Sequence, residues 1–119
     1  MNKKTPELEL ERKFATIKRF LSQQQNITLD IQSIIYLIGL RELGLLKPLD
    51  KQQKIDVMHI ATCRLLEPYG YYRFLGLDAD KWPHFELIEQ LPVLSAQEEK
   101  ELLQEAIVLY FDSNAIPVQ

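Results

Sequence analysis

The sequence predicts an all-α fold. It reads as a compact bundle of four main helices over about residues 6–25, 29–43, 51–67 and 96–112, with a short helix near 84–90 and an aromatic-rich loop over 68–84. Three observations carry this. Apolar residues recur at three- and four-residue spacing in four segments. Capping residues stand just before those segments. The chain of 119 residues, 46% of them hydrophobic, is long enough to enclose a core without metal or disulfide staples, so residues 1–119 are expected to form a single helical domain.

Leu10, Phe14, Ile17 and Leu21 form one stripe of the first helix, with Glu9, Arg12, Lys13 and Arg19 around it. Thr5 is placed to cap it, Pro6 suits its first helical position, and Asn26 can take the left-handed conformation that ends it. In the second helix Thr28 is the expected cap, Asp30 falls in the first turn, and Ile31, Ile34, Ile35, Leu37, Ile38 and Leu40 make it apolar nearly all round. Its β-branched cluster also allows a strand, but Arg41-Glu42-Leu43-Gly44 closes it like a helix, with Leu45 placed to contact Leu40. Asp50 and Gln53 form a capping box for the third helix, whose apolar stripe is Ile55, Met58, Thr62, Leu65 and Leu66, and Pro68 ends it near Glu67. Two prolines and two glycines then interrupt any regular helix between Glu67 and His84; Phe85 to Gln90 suit a short helix before Pro92. Ser95 and Glu98 open the last helix, which buries Leu102, Leu103, Ala106, Ile107, Leu109 and Tyr110.

Composition narrows the function classes. Cys63 is the lone cysteine, which excludes an intramolecular disulfide and fits a reducing, cytoplasmic setting. The first residues are dense in charge where a secretory signal needs an apolar run, and the longest uncharged stretch, Ile31–Leu40, is far short of a membrane span. The net charge of -3 conceals an uneven distribution. Residues 1–64 hold eleven Lys or Arg against seven Asp or Glu, and residues 65–119 hold three against ten. The overall acidic balance speaks against nucleic-acid binding, which draws its affinity from cations that neutralise phosphates.

Six of the eleven aromatics lie between residues 69 and 85: Tyr69, Tyr71, Tyr72, Phe74, Trp82 and Phe85. Rings deliver large contact area at low rotamer cost, so this segment suits either a self-packed loop or a partner surface with Arg73, Asp78, Asp80 and His84 as polar handles. Asp78, Asp80, Glu86 and Glu89 match positions 1, 3, 9 and 12 of a calcium-binding EF-hand loop. However, Trp82 and Pro83 occupy the positions that need a ligand oxygen and a glycine, so a helix cap is the plainer role for Asp78 or Asp80.

A metal-binding, small-ligand-binding or enzymatic reading uses Asp56, His59, Cys63 and His84. The first three share one flank of the third helix, where only His59 and Cys63 are close enough to hold one ion. A mid-helix cysteine lacks the dipole end and oxyanion donors of a nucleophile. The second and third helices also allow a comparison with helix-turn-helix DNA readers through Lys47, Lys51, Gln52, Lys54 and Arg64. The expectation is therefore a non-enzymatic module for protein interaction or self-association. It would need no cofactor and would act through Tyr69, Tyr71, Tyr72, Arg73, Phe74, Trp82, His84 and Phe85.

Overall fold

The structure is a computed structural model that describes residues 5–44 and 49–118. Along the chain run helices α1 (Thr5–Gln25), α2 (Ile31–Leu43) and α3 (Lys51–Leu66), a 3₁₀ turn at Glu67–Tyr69, strands β1 (Tyr72–Leu77) and β2 (Pro83–Leu87), and helix α4 (Ala96–Ser113). The four main helices stand where periodicity placed them. The fold class does not: the chain is mixed α/β, 64% helical with a two-stranded antiparallel sheet, and not an all-α bundle. Strand β2 occupies the segment expected to form the short helix near 84–90, and β1 runs through the expected loop over 68–84.

The caps explain most boundaries. Asn26 (φ 59) ends α1 in a Schellman arrangement, with Ile27 N donating to Ser22 O at 3.1 Å and Asn26 N to Gln23 O at 3.3 Å. The cap of α2 is Asp30, not Thr28: the Asp30 carboxylate accepts from Ser33 N at 2.8 Å, and this bond holds its pKa below the ordinary carboxylate value. Both capping boxes form as the sequence predicts, Asp50 with Gln53 on α3 and Ser95 with Glu98 on α4. The expected contacts of the Thr5 side chain, Leu45 and Lys47 lie outside the described residues.

Two compact units emerge from the contacts, Met1–Ile34 with Leu94–Gln119, and Ile35–Val93. In the first, α1 packs along α4; Phe14 and Ile17 are buried on α1, and Ala106, Ile107, Tyr110 and Phe111 on α4. Lys13 and Asp112 pair at 3.4 Å across this contact. The second unit holds the body of α2, α3 and the hairpin. Ile35, Ile38, Val57, Ile60, Ala61, Cys63, Leu65 and Leu66 are its buried side chains. Gly39 lets α2 approach α3, because a Cβ there would stand 2.5 Å from both the Val57 side chain and its carbonyl oxygen.

The hairpin forms because Asp78 organises its turn. The Asp78 carboxylate accepts from Asp80 N at 2.8 Å and Trp82 N at 3.0 Å, its backbone N donates to Trp82 O, and Lys81 takes φ 64. The helix-capping role expected of Asp78 or Asp80 thus becomes turn-capping. Strand register pairs Tyr72 with Leu87, Arg73 with Glu86 and Phe74 with Phe85, then shifts at a bulge between Phe74 and Gly76 (φ 114). Pro83 starts its strand, a position where a missing N–H is tolerated.

Candidate interaction surface

Strand alternation gives the hairpin two faces. Tyr72 and Phe74 on β1 and Pro83 and Phe85 on β2 are at least partly covered, and both strands contact α3. Between them and the helix lies Arg64. Its guanidinium stands 4.7 Å from the Phe74 ring centroid and 5.0 Å from that of Phe85, while Nε donates to Glu42 at 2.8 Å and Nη1 to Glu67 at 2.7 Å. Burial opposes the Arg64 charge, but the Glu42 and Glu67 carboxylates outweigh it and raise its pKa. Arg64, considered above as a DNA-reading cation, is thus bound within its own unit, and Gln52 donates to Asp56 at 3.1 Å. Lys51 and Lys54 are exposed.

Opposite this covered face, Arg73 of β1 and Glu86 of β2 pair and are exposed, as is His84 opposite Gly76; Leu75 stands at the bulge, and Leu77, opposite Pro83, is exposed at the end of the covered side. Arg73 and Glu86 pair across the strands at 2.6 Å, and His84 donates from Nε2 to Asp78 at 2.8 Å. The His84 bond is the largest influence holding the Asp78 carboxyl below its ordinary value, with the amide donors of Trp82 and Asp80 adding to it. Large aliphatic side chains are exposed along the same segment: Leu75 is 57% and Leu77 60% exposed, Leu87 ends β2, and Ile88, Leu91 and Val93 follow it. Scattered single apolar residues are ordinary, whereas a series along one short hairpin is not.

The aromatics that drew attention in the sequence have a different part. Tyr69, Tyr71, Tyr72, Phe74, Trp82 and Phe85 are all half-buried, and the Phe74–Phe85 pair, with centroids 5.4 Å apart, lies under Arg64. The segment drawing attention in the sequence is retained, but its most exposed large apolar residues are leucines. Composition gave them no prominence, and the bulge between Phe74 and Gly76 breaks the alternation that would have assigned them a face.

The remaining candidates do not converge. His59 Nε2 lies 3.5 Å from Cys63 Sγ, and the His59 ring meets Tyr72 edge-on at 6.4 Å. Asp56 is engaged by Gln52, and His84 by Asp78 on the hairpin. Among the described residues no three of His, Cys, Asp and Glu gather as metal ligands would. Burial pushes the Cys63 thiol up to about 11, so the thiolate a nucleophile requires is scarce at neutral pH. Of the EF-hand-like frame, Asp78 is spent on the turn and Glu86 on Arg73.

Two grooves lie in the first unit. One, of about 550 Å³, runs past Lys18, Arg19, Ser22, Asn26 and Ile27. The other, of about 460 Å³, is lined by Leu10 and Leu102 with Glu7, Glu98 and Glu101. Comparison with family models, curated proteins and solved structures returns no match. Among the described residues no helix is long and apolar enough to cross a membrane.

Proposed function

We propose that this protein is a non-catalytic interaction module that binds a protein through the exposed aliphatic side chains of its β1–β2 hairpin. One observation carries the reading: Leu75 and Leu77 stand exposed on a hairpin both of whose strands are held against α3. A rigidly backed strand pair with aliphatic anchors and a polar surround has the make-up of an interface core and rim. The acidic balance of residues 65–119, three cations against ten anions, favours a protein over a nucleic acid. A reducing, cytoplasmic setting belongs to the same proposal, supported by the single buried thiol of Cys63.

The test is photo-crosslinking in cells from benzoylphenylalanine placed at Leu75, with Gln24 on α1 as the control position. A discrete protein adduct from Leu75, absent from Gln24 and abolished by Leu77→Glu in the same chain, supports the reading. If Leu75 gives no more adduct than Gln24, the reading is wrong. An active site built on His59 and Cys63 predicts instead that His59→Ala abolishes an activity while leaving the Leu75 adduct intact.

A further inference from the structure

We propose that the first unit carries a second docking surface, independent of the hairpin, which takes an acidic segment of a partner protein with an aliphatic residue beside its carboxylates. The site is the groove of about 550 Å³ along the later turns of α1 and the turn that follows, where Ala15, Lys18, Arg19, Ser22, Asn26 and Ile27 are among the lining residues. Its charge begins in the sequence. Between Glu11 and Asp30 the chain holds Arg12, Lys13, Lys18 and Arg19 and no Asp or Glu, within a protein whose net charge is -3. A helix pairs its surface cations with carboxylates three or four positions away. Lys18 has Phe14, Ala15, Leu21 and Ser22 at those positions, and Arg19 has Ala15, Thr16, Ser22 and Gln23, so neither is paired along α1. The fold supplies no substitute: Lys13 reaches Asp112, but among the described residues no salt bridge engages Lys18 or Arg19. Asp30, the carboxylate that feels Lys18, is already held by Ser33 N at 2.8 Å.

Charge complementarity therefore selects an anion, and the rest of the lining decides which. Ile27 is 63% exposed in the groove. A bare phosphate or carboxylate would meet the two cations and leave Ile27 in water, whereas a peptide with an aliphatic side chain next to Asp or Glu covers both. A nucleic acid fits less well. Backbone binding draws on a longer cationic track than Lys18 and Arg19 provide, and no aromatic side chain lines the groove for a base to stack on. The negative end of the α1 dipole opposes an anion only within the last turn, and both cations stand before it. Ile27 is held in place, because its N donates to Ser22 O at 3.1 Å where Asn26 (φ 59) ends the helix, and Leu29 N donates to Ser22 Oγ at 3.0 Å. Anchor and cations thus share one preformed surface, which lowers the cost of ordering on binding.

Display of random peptides on phage, selected on the full chain after depletion on Lys18→Glu with Arg19→Glu, tests this. Retained clones should carry at least two Asp or Glu flanking an aliphatic residue. No enrichment over the depleting variant, or enriched clones without that pattern, overturns the proposal. The strongest clone, made as a fluorescein-labelled peptide, is then titrated by anisotropy. Lys18→Glu with Arg19→Glu should weaken it by roughly tenfold or more, and Ile27→Ser by a smaller factor. Lys51→Glu with Lys54→Glu, exposed cations of the second unit that change net charge by the same amount, should leave the affinity unchanged. Equal losses from the two pairs would reduce the effect to overall charge and overturn the groove. Circular dichroism checks each fold, and Arg19→Glu alone, at an exposed position, gives the same reading where the double variant does not fold. Retention on phosphatidylserine vesicles or on a DNA duplex that depends on Lys18 and Arg19, with no peptide selected, assigns the surface to a membrane or a nucleic acid and overturns the acidic peptide. The Leu75 adduct is read separately, so failure here leaves the hairpin reading standing.

Discussion

A methyl group added at Gly39 would stand 2.5 Å from the carbonyl oxygen of Val57, backbone that no rotamer change can move aside. Two effects of Gly39→Ala oppose each other. Alanine gains roughly 1 kcal/mol of helix propensity over glycine, and overpacking a filled contact costs about 1–3 kcal/mol. Because the obstacle is backbone, overpacking wins, and urea unfolding should show Gly39→Ala destabilised by about 1–2 kcal/mol. Cys63 gives a prediction in pH. Burial raises its thiol from an ordinary 9.0 to about 11, so the folded protein holds the proton more tightly than the unfolded chain. The resulting stabilisation is fully present below pH 9.0 and lost as pH climbs toward about 11. Denaturation midpoints of wild type should therefore fall over that window relative to Cys63→Ala, and native Cys63 should react with a thiol reagent at neutral pH far more slowly than the unfolded chain does.

At the scale of elements, Arg64 joins α3 to α2 through Glu42, to the 3₁₀ turn through Glu67, and to both strands through Phe74 and Phe85. Arg64→Met keeps much of the side chain's bulk and removes both charge-assisted bonds and the ring contact. A loss of about 2–3 kcal/mol is expected from terms of this kind, measurable by chemical denaturation. Hydrogen exchange should localise it, with Phe74 and Phe85 amides losing protection before those of α1. The turn responds to acid. The lowered carboxyl of Asp78 contributes stability above its ordinary value of 3.8 that is lost as pH falls through the folded value. Protection factors within β1 and β2, taken relative to the intrinsic exchange rate at each pH, should fall on acidification below about that point in wild type and remain level in Asp78→Asn. This element was also the least legible in the sequence. Helices declared themselves through stripes such as Leu10, Phe14 and Ile17 and through the Asp50–Gln53 and Ser95–Glu98 boxes, which depend on residues close in sequence. The hairpin depends on register. Pro83 and Gly76 read as breakers because nothing local reveals that one starts an edge strand and the other sits at a bulge. Arg64 likewise read as a free cation, since Glu42 is 22 residues away in sequence and meets it only in the fold.

At the scale of the molecule, the charge division along the chain is handled locally. The excess of cations in residues 1–64 is met by anions of residues 65–119 where Arg64 binds Glu67 and where Lys13 meets Asp112. The hairpin's outer face is balanced within itself by Arg73 and Glu86 and needs neither neighbour nor counter-ion to satisfy it. The leucines of the hairpin stand apart from this charge balance, because Leu75 and Leu77 are exposed and carry no charge. Leu75→Glu with Leu77→Glu should change stability by no more than about 0.5 kcal/mol per site in urea unfolding, the ordinary consequence of exposed substitutions that touch no cap, cavity or network. Leu77→Glu also removes an aliphatic anchor of the proposed interaction, so loss of the Leu75 adduct with an unchanged unfolding midpoint separates a binding role from a packing role. A large fall in the midpoint would place these leucines in the core of the folded chain instead.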